Sequence, residues 1–134
     1  MTVLNHHPAG ILALDKPPGV LSHPNRDEDL PRALLAAPYD PARECYRLPG
    51  GSEIHLIHRL DSPTSGVILL ATDANLAADL RLRFLSREVR KTYLALVFGV
   101  PRRRQETWQD RLKITRSGAQ LRTQAGHQGE TAAA

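Results

Sequence analysis

The chain has 134 residues, 41% of them apolar, enough for one domain around one modest core and too few for two. Its formal net charge of +4 is unevenly spread: residues 1 to 80 hold six basic and ten acidic side chains, whereas residues 81 to 122 hold twelve basic ones against Glu88, Glu106 and Asp110. The single Cys45 excludes an internal disulfide, MTVLNHHPAG lacks the basic and apolar regions of a secretory leader, and no apolar run is long enough to cross a bilayer; a cytoplasmic protein with no membrane partner is expected.

In chain order, ILAL at 11–14 reads as a buried strand, ended by DKPPG, whose prolines and glycine forbid regular structure. VLSHP, 20–24, resumes in extended form because the residue before a proline avoids the helical region. Residues 29–37 suit a short helix with Asp29 as N-cap and Pro31 in the first turn. PYDPARECYRLPGG, 38–51, reads as a loop. EIHLIH at 53–58 alternates polar and apolar, as a half-buried strand does, and VILLA at 67–71 is a second strand after Gly66. The best helix runs from Asp73, its cap, to about Ser86: Leu76, Leu80 and Phe84 recur on one face beside Ala77, and the other side presents Arg81, Arg83 and Arg87. KTYLALVFG, 91–99, is β-branched, aromatic and apolar, the pattern of a core strand, and turns at Gly99-Val100-Pro101 into Arg102, Arg103 and Arg104. Weaker strand signals lie around 107–115 and 120–123, joined by Ser117-Gly118.

Chemistry concentrates in HRLDSPTSGVILLA, 58–71, where Asp61 sits on a loop between two strands, the place where a rigid sheet presents functional groups. An Asp before Ser-Pro is also ordinary turn chemistry, its side chain bonding the backbone two residues on. Fifteen of the eighteen basic residues are Arg, suited to phosphate and to stacking on bases, so a nucleic-acid partner competes with a merely solvated, helix-supporting face. Six histidines raise a metal site, with His55 and His58 as a ligand-like pair; on a strand, however, residues three apart point to opposite faces, and no third ligand stands at standard spacing, so no metal is expected. Ser-His-Asp hydrolysis lacks a Gly-x-Ser-x-Gly elbow.

HRLDSPTSGVILLA resembles the signature of the RluA family of RNA pseudouridine synthases, in which His-Arg-Leu-Asp, two variable residues and Thr-Ser-Gly precede an apolar strand. ALDKPPGVLSHP, 13–24, is similar to that family's Lys-Pro-x-Gly segment, and RKTYLALVFGVP, 90–101, to its Lys-x-Tyr strand, in the same order. The match is good over 11–101 and loose over 102–134. The resemblance implies an α/β domain of α+β type, a mixed and largely antiparallel sheet with flanking helices, with the whole chain as one C-terminally incomplete catalytic domain.

It implies an activity as well: isomerisation of uridine to pseudouridine in structured RNA, rRNA or tRNA, with a flipped base, an aspartate and no cofactor or metal. On the matching positions Asp61 is the catalytic carboxylate, Arg59 braces the flipped nucleotide or enters the space it leaves, and Tyr93 packs on the uracil ring. Lys16 is expected to contact backbone phosphate or to brace the proline loop, and His58 to orient the Asp61 loop. Arg81, Arg83, Arg87, Arg102, Arg103 and Arg104 are the candidates for the RNA backbone. The family's Thr-Gly-Arg-x-His-Gln-x-Arg motif, whose first Arg pairs with the Asp, has no match in 102–134. Alone, the chain is therefore expected to be inactive and to self-associate through an uncovered sheet edge. The competing expectation is a catalytically inactive, truncated RNA-binding remnant.

Overall fold

A computed structural model describes residues 2–107, 109–117, 120–125 and 130–133, with side chains up to 107 and at 111. The backbone divides into two compact units, Met1–Thr92 and Tyr93–Ala134.

The first unit is built on a six-stranded sheet in the order β1-β2-β6-β5-β4-β3. Its strands are β1 (Thr2–His7), β2 (Ile11–Lys16), β3 (Tyr39–Asp40), β4 (Cys45–Arg47), β5 (Glu53–Leu56) and β6 (Gly66–Ala71). Every neighbouring pair is antiparallel. Successive side chains on a strand point to opposite faces, and β6 shows what that does here. Ile68 and Leu70 enter a core with Leu14, Leu34, Ala37, Tyr46, Leu56 and Leu60. Leu69 and Ala71 face the other way, toward Ile57 and the helix α1 (Ala74–Leu85).

The helix forms where its sequence predicts. Asp73 Oδ1 accepts from the Leu76 amide at 2.9 Å, satisfying one of the orphan N–H groups of the first turn. Ala77 is buried, and Leu76, Leu80 and Phe84 pack with it against Ile57 and Ala71.

Other expectations are corrected. The helix placed at 29–37 is a 3-10 helix over Asp27–Arg32 with no side-chain cap. Ala33 is already extended, because its backbone forms a parallel bridge to Leu21. The loop placed at 38–51 contains β3 and β4, short enough for their flanking prolines and glycines to dominate the pattern, and β1 carries no strand signature because all six residues are exposed.

The largest departure is KTYLALVFG. Residues 91–97 form no ladder, and Leu94, Leu96 and Phe98 are fully exposed. Propensity alone does not make a strand, since its N–H and C=O groups need a partner, and no strand among the described residues pairs with this segment. Within the second unit, the weak signals near 107–115 and 120–123 are borne out. They become β7 (Gln109–Ser117) and β8 (Gln120–Ala125), joined by β9 (Glu130–Ala133) in an antiparallel sheet of order β8-β7-β9.

Candidate active site

The β5–β6 ladder runs through His55↔Ala71 and Leu56↔Leu70, and the Ile57 amide extends it by bonding the Leu69 carbonyl at 3.1 Å. The chain then leaves the sheet as the loop that carries Asp61, and returns at Gly66. A turn shapes its tip, where the Thr64 amide donates to the Asp61 carbonyl at 2.9 Å.

That bond separates two readings of Asp61. In an ordinary Asx turn the carboxylate itself accepts the backbone N–H, as Asp40 Oδ1 does from Ala42 at 3.0 Å and Arg43 at 3.2 Å. Those amides hold the Asp40 carboxyl below its usual range, with Arg47 adding to the effect. At Asp61 the backbone carbonyl closes the turn, and among the hydrogen bonds of the described residues none involves its carboxylate. The residue is exposed.

Both neighbours of Asp61 are anchored to the segment after β2. On one side, Ser22 Oγ donates to the Leu60 carbonyl at 2.7 Å and accepts from the Leu60 amide at 3.0 Å. On the other, the Ser62 carbonyl accepts from the Gly19 amide at 2.7 Å and from Lys16 Nζ at 3.2 Å. Gly19 makes that contact at φ +84°, a conformation that glycine adopts without the strain a side chain would bring.

Lys16 follows from the strand period. Leu12, Leu14 and Lys16 share one face of β2, so the ammonium is carried into the core edge and is 0% exposed. Its three donors reach the carbonyls of Val20 at 2.8 Å, Pro17 at 3.2 Å and Ser62 at 3.2 Å. Burial lowers its pKa, and the Asp61 charge pulls it back up. Of the two roles expected for Lys16, this geometry serves the brace: the charge sits among the protein's own carbonyls and is closed to solvent phosphate.

His58 is half-buried, with its ring stacked on Phe84 at 4.6 Å and 15°. The Leu69 amide donates to its Nε2 at 3.1 Å, which requires a lone pair there. Burial lowers its pKa, a backbone hydrogen bond at Arg59 opposes that, and the Lys91 charge adds to it. A neutral imidazole thus ties the start of the loop to β6 and α1. Arg59 is exposed, with Nη1 at 3.4 Å from His23 Nε2.

The remaining predicted residues divide. Arg81 is turned inward: Nε and Nη2 donate to the Leu56 carbonyl at 2.9 and 2.6 Å, Nη2 to the Glu44 carbonyl at 3.2 Å, and Nε lies 2.9 Å from the Glu44 carboxylate. Arg83 pairs with Asp79 at 3.1 Å and stands 3.7 Å from Glu88. Arg87 is exposed just past the helix. Tyr93, Arg102, Arg103 and Arg104 belong to the second unit and are exposed there, Arg103 at 3.8 Å from Glu106. Among the described residues, no three His, Cys, Asp or Glu side chains gather as a metal site would require, and no helix is long and apolar enough to cross a membrane.

Ser22, Gly19 and Tyr46, which position the loop, were missed by sequence reasoning. Tyr46 is fully buried and donates from its hydroxyl to the Ser22 carbonyl at 2.7 Å. The available signal was a serine inside VLSHP, which reads only as extended chain.

A family model described as RNA pseudouridylate synthase matches residues 10–134. The tRNA pseudouridine synthase C of Pasteurella multocida (strain Pm70) is 36% identical over 90 residues, covering 66% of this chain and 34% of that protein. The ribosomal large subunit pseudouridine synthase D of Zymomonas mobilis subsp. mobilis (strain ATCC 31821 / ZM4 / CP4) is 32% identical over 94 residues, covering 68% of this chain and 29% of the relative. The chain spans about a third of the length of these curated relatives. In fold it is similar to human RNA pseudouridylate synthase domain containing 4, with a TM-score of 0.62 at 22% identity, over 98% of this chain and 51% of that one. The family model spans nearly the whole chain, and the chain belongs to the RluA-type RNA pseudouridine synthase family.

Proposed function

We propose that the protein isomerises uridine to pseudouridine in structured RNA, tRNA or rRNA, and that Asp61 is its catalytic carboxylate. The reaction breaks the N1–C1′ bond, turns the uracil ring and joins C5 to C1′; N1 gains a proton and C5 loses one, so the formula is unchanged. It needs a carboxylate at the sugar, acting as nucleophile or as base. Because the target base must first leave its stack at a cost of a few kcal/mol, groups that brace an extruded nucleotide belong beside that carboxylate. Arg59 is proposed for this part, and Tyr93 for stacking on the uracil.

One observation carries the reading. The Asp61 carboxylate is spared from turn chemistry while the backbone on both sides of it is pinned, at Leu60 by Ser22 and at Ser62 by Gly19 and Lys16. An exposed acid held on a fixed backbone is what a preorganised reacting group requires. Deleting the gene in its own cell and mapping pseudouridine across tRNA and rRNA tests the activity. Loss of one or more sites is expected, and an unchanged map overturns the proposal.

A further inference from the structure

Among the arginines of the first unit, Arg59 is set apart by its partner. Arg43, Arg47, Arg81 and Arg83 each lie against a carboxylate, of Glu53, Asp40, Glu44 and Asp79 respectively. Arg59 instead lies against an imidazole, with Nη1 at 3.4 Å from His23 Nε2. A carboxylate partner neutralises a guanidinium; a neutral imidazole orients it and leaves its charge in place.

The surroundings of His23 fix which ring nitrogen accepts. Nδ1 lies 3.1 Å from the Pro24 carbonyl, an oxygen that can only accept, so Nδ1 carries the proton. In the neutral ring the lone pair is then on Nε2, facing a guanidinium that can only donate. The plane of the ring is set by the core. His23 stacks on Tyr39 at 4.8 Å and 10°, and Tyr39 meets the buried Tyr46 edge-on at 5.0 Å and 62°. Tyr46 in turn bonds the carbonyl of Ser22, whose hydroxyl clamps Leu60, the residue between Arg59 and Asp61.

We propose that His23 is a positioning residue for Arg59: a core-braced acceptor that holds the guanidinium, which has no carboxylate partner among the described residues, for contact with RNA at the Asp61 loop. The proposal rests on the reading of Arg59 as an RNA-contacting side chain. An exposed arginine loses rotamer entropy when it is fixed on a ligand, and an acceptor already in place removes part of that loss before binding.

The test uses the full chain and a fluorescein-labelled RNA stem-loop with one loop uridine, its 3′ neighbour replaced by 2-aminopurine to report unstacking. His23→Phe keeps a ring on Tyr39 and removes the acceptor, whereas His23→Gln restores an acceptor near the Nε2 position without the ring. Arg59→Gln is expected to weaken binding about tenfold and to reduce the 2-aminopurine signal. His23→Phe should weaken binding about 3- to 10-fold, His23→Gln should recover most of that loss, and His23→Phe should add nothing when Arg59 is already Gln. Three results overturn the proposal: binding by His23→Phe equal to wild type, a His23→Phe loss that persists in the Arg59→Gln background, or a loss as large in His23→Gln as in His23→Phe. If Arg59→Gln itself changes neither affinity nor signal, the reading of Arg59 fails and His23 falls with it, a result distinguishable from the other three.

Discussion

The hydroxyl of Ser22 and the backbone of Leu60 exchange two hydrogen bonds, Oγ donating to the carbonyl at 2.7 Å and accepting from the amide at 3.0 Å. One side chain satisfies both polar groups of a buried residue next to the proposed catalytic Asp61. Ser22→Ala leaves both without that partner, and a stranded buried group costs about 1–3 kcal/mol. Urea unfolding should show a loss in that range. A change below about 0.5 kcal/mol would mean the loop is held by something else.

Lys16 makes the corresponding contact at Ser62. Lys16→Met keeps most of the aliphatic volume and takes the donor away from the carbonyls of Pro17, Val20 and Ser62. Destabilisation of about 1–3 kcal/mol is expected by urea unfolding. Because the ammonium is fully buried, a reagent that labels exposed lysines should modify Lys16 far more slowly than the exposed Lys91 in the native protein.

The His58 imidazole links pH to stability. Burial lowers its pKa in the folded chain, so between the ordinary value near 6.5 and that lowered value the unfolded state binds the proton more tightly. The stability that neutral His58 provides is therefore complete above about pH 6.5 and is lost as pH falls toward the folded pKa, by at most about 1.4 kcal/mol per pH unit. His58→Asn should flatten the part of the urea-midpoint profile between pH 7.5 and 5 that this residue supplies. An unchanged slope would contradict the burial argument.

The arginines should separate by salt. A side chain that contacts phosphate contributes about 0.7–0.9 to the slope of log affinity against log salt. Arg102→Gln, Arg103→Gln and Arg104→Gln should each reduce the slope for RNA by up to that amount. Arg81→Gln should leave it unaltered and lower stability instead, because that guanidinium is spent on the Leu56 and Glu44 carbonyls. A reduced slope on replacing Arg81 would show that the internal contact opens to bind RNA.

Local pattern made much of the first unit legible. Gly66–Ala71 and the Asp73-capped helix could be read directly because their apolar periods and caps are carried by a few neighbouring residues. The Asp61 loop stood out because three short segments match one family in order. The burial of Lys16 was not legible, because DKPPG reads as the end of the strand, whereas β2 runs on through Lys16 and its alternation turns that side chain inward. The contacts made by Ser22 with Leu60 and by Tyr46 with Ser22 span 38 and 24 positions, and no window of sequence holds both ends. The inward contacts of Arg81 were not legible because the helical period gives its direction and not its partner, a carbonyl at the end of another strand. KTYLALVFG failed for the opposite reason: its propensity is for a strand, and a ladder is a property of two segments.

The most direct test is made at Asp61, in the cell. The gene is deleted and complemented with wild type or with Asp61→Asn, and pseudouridine is mapped at the tRNA or rRNA sites lost on deletion, with protein levels measured in parallel. Asparagine keeps the shape and removes the charge, so the wild-type gene should restore the modification and the Asn variant, present at an equal level, should restore none. Restoration by Asp61→Asn would contradict the account.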